Sequence, residues 1–153
     1  GWRAFAELRQ SLSTPVCLDE SITGLPQLRS AIAAGACDVV NVKPARLSGL
    51  RQAVEVHDLA VDAGLSLVAG GLLETGIGRA GTLAVARLPG FSIPADLSAS
   101  DRYWDQDLTI PPWILTDGQL TVTDRPGIGV EMDRDRLDEI TVSHHSLPVS
   151  RGH

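Results

Sequence analysis

Lys43 is the only lysine among the 153 residues, and every other cationic side chain is arginine. It follows the run Cys37-Asp38-Val39-Val40-Asn41-Val42, whose apolar character reads as a buried strand, and Pro44 comes directly after it. An ammonium can release its proton at accessible pH and a guanidinium cannot, so the lone lysine of an arginine-rich chain is a candidate for proton transfer. An amphipathic lysine snorkelling from a strand end is the plain alternative. Asp19 occupies the equivalent place one unit earlier, past Pro15-Val16-Cys17-Leu18. A carboxylate and a lysine on successive strand ends suit chemistry in which Mg²⁺ stabilises an enediolate while the lysine moves a proton beside a carboxylate group.

The elements that must hold these groups alternate. The strand Pro15–Leu18 leads through a polar loop to a helix with Leu25, Leu28, Ile32 and Ala33 at helical spacing, stopped at Gly35. The strand Cys37–Val42 leads to a helix marked by Leu50, Val54, Val56, Leu59 and Ala60, stopped at Gly64. The strand Leu65–Val68 precedes a helix from Ile77 to Leu88, and Phe91–Pro94 reads as a further strand. A first helix, Trp2 to Leu12, comes before them all. Asp19, Lys43, Gly70 and Asp96 follow one another at steps of 24, 27 and 26 residues, the period of a βα unit. Parallel strands follow, in a (β/α) barrel or an open doubly wound sheet, and ligands bind beyond their carboxyl ends in both. Alternation puts Asp19 with Cys17 and Lys43 with Asn41 on one face, while Leu18 and Val42 face the helices.

After Ser100 the character changes. Residues 1–100 read as one half-barrel of βα units, and residues 101–153 as an extension with a β-hairpin turning at Asp117-Gly118 and a loose tail. His144, His145 and His153 read as solvated tail residues, and Cys17 and Cys37 as reduced thiols in buried strands.

A net charge of −6 with 43% hydrophobic residues describes a soluble globular chain. The absence of a basic block argues against nucleic acid or an anionic membrane as partner, and no stretch approaches the roughly 20 apolar residues of a membrane span. The residues after Gly1 lack the apolar core of a signal peptide, so the cytoplasm is the expected compartment.

The runs Pro15-Val16-Cys17-Leu18-Asp19-Glu20-Ser21, Asn41-Val42-Lys43-Pro44-Ala45-Arg46-Leu47-Ser48-Gly49, Gly70-Gly71-Leu72-Leu73-Glu74-Thr75-Gly76-Ile77-Gly78-Arg79 and Pro94-Ala95-Asp96-Leu97-Ser98-Ala99-Ser100 resemble the C-terminal half of the enolase superfamily. Within it they are most similar to the muconate-lactonizing branch, to the o-succinylbenzoate synthases and the N-acylamino-acid racemases. The resemblance implies a modified TIM barrel, with Asp19 as the last of three carboxylate ligands of Mg²⁺ and Lys43 as one of two lysines flanking a small carboxylate substrate. It implies a lyase of menaquinone biosynthesis, dehydrating a succinyl-hydroxycyclohexadiene carboxylate. What the resemblance implies for Lys43 is enediolate stabilisation in the synthases and, in the racemases, proton exchange shared with a second lysine.

Other positions carry two readings each. Glu20 and Asn41 stand behind the reacting groups, with Glu20 either orienting Lys43 or simply solvated. Gly70 and Gly71 admit substrate close to the backbone or form a turn. Glu74 matches the acid of the lactonizing enzymes at the seventh strand, and Ser98 with Asp96 either meets the substrate's far end or caps a helix. Ala45, Ser48 and Ala95 replace frequent glycines, small for small. Asp96-Leu97-Ser98 lacks the second acid of the dipeptide epimerases. The Lys-x-Lys motif, the two earlier metal carboxylates and the capping domain of a complete member do not precede Asp19, so the chain is expected to be a C-terminal part and inactive alone. A noncatalytic fragment, or a subunit completed by a second polypeptide, is the alternative of another class. A homo-oligomer is compatible with the sequence.

Overall fold

The structure, a computed structural model, describes residues 1–146. Helix α1 (Trp2–Ser11) is followed by three strand–helix units: β1 (Cys17–Leu18) and α2 (Leu25–Ala34), β2 (Val39–Val42) and α3 (Leu50–Asp62), β3 (Ser66–Ala69) and α4 (Gly76–Ala86). The order in the sheet is β1-β2-β3, all parallel. Phe91 and Asp96 bridge Leu67 and Gly70 in parallel, so a fourth segment lies beside β3 where the sequence predicts a strand.

Each strand pairs with its successor. Right-handed crossovers between such neighbours all lay their helices on one face of the sheet, and the strand order lacks the reversal of a doubly wound fold. The structure is therefore a sector of a (β/α) barrel. Leu18, Val40, Val42 and Leu67 from the strands pack against Leu28, Ala31, Ala53, Val56 and Ala60 from α2 and α3 in one buried cluster. Full burial of each large aliphatic side chain contributes about 1.5–3 kcal/mol.

Local chemistry sets the helix ends. Gly35 takes a left-handed conformation (φ 61°) after α2, where the Gly35 and Ala36 amides donate to the Ile32 and Ala31 carbonyls. Arg9 of α1 donates to Asp38 at 2.7 Å, and the other oxygen of Asp38 accepts from the Val16 amide at 2.9 Å. That carboxylate ties the entrances of β1 and β2 to α1.

The strands are shorter at their entrances than the apolar runs suggest, because pairing begins only at Cys17 and Val39. Cys17, expected in a buried strand, is exposed: β1 is the edge of the sheet, and the side chain points away from the helices. Cys37 is buried as expected.

The later residues pack onto this body. A 3₁₀ turn (Ser100–Arg102) precedes β4 (Thr109–Ile110), which pairs antiparallel with β7 (Glu131–Met132). Between them β5 (Leu115–Thr116) and β6 (Gln119–Leu120) form the hairpin expected at Asp117-Gly118. Helix α5 (Arg134–Ile140) starts at Asp133, whose side chain accepts from the Arg136 amide. Buried Asp107 accepts from the Gly76 amide at 2.9 Å and from Ser100 Oγ at 2.5 Å, anchoring the extension on the start of α4. A Cβ on Gly76 would lie 2.7 Å from Asp107 Oδ2, which explains the glycine. His144 and His145 are exposed; His153 lies outside the described residues. Among the described residues no helix is long and apolar enough to cross a membrane.

Candidate active site

The carboxyl ends of β1, β2 and β3 bring Asp19, Lys43 and Gly70 together. Lys43 Nζ donates to Asp19 Oδ2 at 2.7 Å and lies 3.5 Å from Glu20 Oε1. Asn41 Nδ2 donates to the same Asp19 oxygen at 3.2 Å, and the Arg46 guanidinium donates to the other. The lysine side chain is 9% exposed, that of Asp19 28% and that of Glu20 80%, so the ion pair opens to solvent on one side only. Burial favours the neutral form of Asp19, but the hydrogen bonds and charges of Lys43 and Arg46 outweigh it and hold the carboxyl below its ordinary value.

Arg46 is the residue that sequence reasoning missed. Besides Asp19, it donates to the Asn41 carbonyl at 2.6 Å and the Ile22 carbonyl at 3.0 Å, joining the loops after β1 and β2. It stands three residues after Lys43 in a turn where Lys43 O accepts from the Arg46 and Leu47 amides, and that turn, which spacing alone does not show, brings it back to Asp19. Ser48, in the same loop, has φ 60°, the left-handed region that favours glycine, so the exchange of glycine for serine there carries strain of about 1–2 kcal/mol.

Gly70 has a steric reason. A Cβ there would stand closest to Asn41 Oδ1 and 2.8 Å from both Asn41 Nδ2 and Lys43 Cε, so the two side chains reach Asp19 across a glycine that directly follows β3. The Asn41 Oδ1 atom is buried with no partner.

The remaining expected residues divide into two neighbouring places. Gly71 and Ser98 line a cavity of about 230 Å³ with Arg79, Asp96 and Tyr103. Ser98 Oγ lies 3.2 Å from the Tyr103 hydroxyl, and neither Asp96 nor Ser98 caps a helix, since the 3₁₀ turn begins after Ala99 with no side-chain cap. Glu74 lies on the other side of its loop. Its carboxylate accepts from Thr82 Oγ1 at 3.0 Å and borders a cavity with Pro44, Ala45 and Ile77. Burial raises the Glu74 carboxyl above its ordinary value, against the hydrogen bond from Thr82 and the charge of Arg79.

As a metal site the cluster is partial. Asp19 supplies one hard carboxylate, and among the described residues no group of three His, Cys, Asp or Glu side chains could hold an ion. Mg²⁺ demands near-octahedral oxygen coordination, so Asp19 fits as one ligand and does not make a site unaided.

Residues 2–136 match the family described as Enolase C-terminal domain-like. The chain belongs to the enolase superfamily. An o-succinylbenzoate synthase of Bacillus subtilis (strain 168) is 44% identical over 84% of this chain and 34% of its own length. An N-succinylamino acid racemase of Thermus thermophilus is 46% identical over 95% of this chain and 39% of its own. A crystal structure of an enolase superfamily member from Listeria innocua superposes with a TM-score of 0.88 at 34% identity, over 94% of this chain and 38% of that one. The chain thus spans between a third and two fifths of the length of these relatives. The superfamily's barrel half accounts for the sector described above, with Asp19 and Lys43 at its strand ends.

Proposed function

We propose that this chain carries the lysine-bearing part of an o-succinylbenzoate synthase, a carbon–oxygen lyase that dehydrates a succinyl-hydroxycyclohexadiene carboxylate in menaquinone biosynthesis. The observation that carries the reading is the buried Lys43 ammonium, held on Asp19 at 2.7 Å at the carboxyl end of parallel strands. The B. subtilis relative bears the synthase name.

In the dehydration a proton leaves the carbon next to the substrate carboxylate, the electron pair spreads onto that carboxylate as an enediolate, and hydroxide departs with a proton as water. A fixed, partly desolvated ammonium beside the enediolate lowers the cost of its charge without reorganising at the moment of reaction. Lys43 supplies that ammonium. Asp19, Asn41 and Arg46 fix its position, and Glu20 stands at the open rim. Mg²⁺, when bound through Asp19 and ligands not found among these residues, supplies further positive charge to the substrate carboxylate. Gly71 and Ser98 line the neighbouring cavity as substrate-facing positions, and Glu74 borders the other side of the same loop. A cytoplasmic setting suits the two free thiols.

N-succinylamino acid racemization is the second reading, favoured by the T. thermophilus relative. Here Lys43 would transfer the proton on one face of the α-carbon. Product analysis of the protein expressed from its full natural reading frame, with both substrates, tests the pair. Dehydration supports the synthase, racemization alone supports the second reading, and neither product in the presence of Mg²⁺ supports a noncatalytic chain or one that needs a partner polypeptide.

A further inference from the structure

We propose that the cavity beside Gly71 is a subsite for the terminal carboxylate of a succinyl arm, and that Arg79 is the residue that selects it. The inference rests on the reading of a succinylated substrate given above.

Arg79, in the first turns of α4, is 1% exposed and is the most buried charged side chain among the described residues. Its Nη2 makes one long hydrogen bond, 3.3 Å to the Glu74 carbonyl, and its Nε is buried with no acceptor. It forms no salt bridge with any described residue. Its guanidinium carbon lies 5.8 Å from the centre of the Tyr103 ring, and Glu74, whose carboxyl feels its charge, makes no direct ion pair with it. A buried guanidinium carries five N–H donors, and with one hydrogen bond made and no carboxylate paired to it, Arg79 is left able to take an anion in this cavity.

The rest of the wall suits a carboxylate. Ser98 and Tyr103 place two hydroxyls together at the cavity. Asp96 also borders it, from an exposed position where water screens its charge, whereas Arg79 acts from inside a dry wall. Gly71 belongs to the same wall and adjoins Gly70, over which Lys43 passes. A substrate with its reacting carbon at Lys43 therefore has a path along the 70–71 backbone to Arg79. The names of both relatives specify a succinyl group, which ends in a carboxylate at the end of a two-carbon arm.

The test compares N-succinyl with N-butanoyl amino acids, which differ at the arm's end by carboxylate against methyl, in the protein from its full natural reading frame. Arg79→Met should raise KM for the N-succinyl substrate at least tenfold and leave kcat/KM for the N-butanoyl substrate within about twofold. Equal losses on both substrates, or no loss on either, would overturn the proposal. A second measurement needs neither a variant nor turnover. The ¹⁵N-edited Nε–H signal of Arg79 should shift on titration with succinanilic acid and stay still with butyranilide. An unmoved signal at saturating succinanilic acid overturns the subsite, whereas a shift in a protein that turns over neither substrate upholds the subsite and sinks the catalytic reading instead.

Discussion

Gly70→Ala is the sharpest test of how the lysine is placed. The added Cβ would lie 2.8 Å from Lys43 Cε, whereas carbon atoms rest at about 3.5–4.0 Å, so the side chain must retreat by about 1 Å. Asn41 Oδ1 stands closer still, and β3 is hydrogen-bonded to β2 along its length, so the Asn41 and Lys43 side chains, both donors to Asp19, are the groups that yield. Overpacking of this kind costs about 1–3 kcal/mol of stability. A reacting group displaced by about 1 Å costs about 100-fold in rate. Gly24→Ala is the matched control, because its Cβ would stand no closer than 3.6 Å to any neighbour, the side chain of Gln52. Steady-state turnover and urea unfolding of both variants, made in the full natural reading frame, should show about a 100-fold fall in kcat for Gly70→Ala and less than about fivefold for Gly24→Ala. Turnover of Gly70→Ala within twofold of the parent would refute the steric account of Lys43.

Three further outcomes follow from the same geometry. Arg46→Met removes donors to Asp19 and to the Ile22 and Asn41 carbonyls, and urea unfolding should show a loss of about 2–3 kcal/mol; a loss under about 0.5 kcal/mol would mean that the two loops hold without it. Glu74 has its carboxyl raised in the fold, so its neutral form is the one the fold favours. Its contribution is greatest below the ordinary carboxylate range and is lost as pH rises through the raised value, so Glu74→Gln should gain stability relative to the parent over that window. Unfolding curves from pH 4 to 8 in which the difference between the two proteins is flat would contradict this. Burial pushes the Cys37 thiol up to about 11, leaving about one thiolate in a thousand at pH 8. Native iodoacetamide labelling read by peptide mass should modify exposed Cys17 and spare Cys37 until the protein is unfolded.

Much of this site was legible because strand alternation is a strict rule. Once Leu18 and Val42 face the helices, Asp19 and Lys43 must share the other side, and the structure pairs them. The period from Asp19 to Asp96 likewise announced successive βα units. Arg46 was not legible, since its role depends on a turn that folds it back onto Asn41, and sequence spacing alone does not show where a loop side chain returns. Arg79 was hidden for a similar reason: it reads as one more polar residue of α4 until Tyr103 and the extension cover it. Glu74 shows the opposite case. The motif marks it, but its carboxylate accepts from Thr82, and the ion pairs of Lys43 go to Asp19 and Glu20. The exposure of Cys17 was missed because an apolar run looks the same at an edge strand as at a central one. The β4–β7 pair was missed because two-residue strands have too few positions to show any period.

The central proposal is that Lys43, seated on Asp19, is required where a proton leaves the carbon next to a substrate carboxylate, as the ammonium beside the enediolate in the synthase reading and as the proton carrier on one face in the racemase reading. Hydrogen–deuterium exchange at the α-carbon of each enantiomer of an N-succinylamino acid, followed by proton NMR in D₂O with Mg²⁺, measures that step without waiting for product. The parent protein should exchange at least one enantiomer, both if it is a racemase, and Lys43→Ala should lose that exchange by about 100-fold or more. Exchange by Lys43→Ala at the parent's rate, on whichever enantiomers the parent exchanges, would contradict the account.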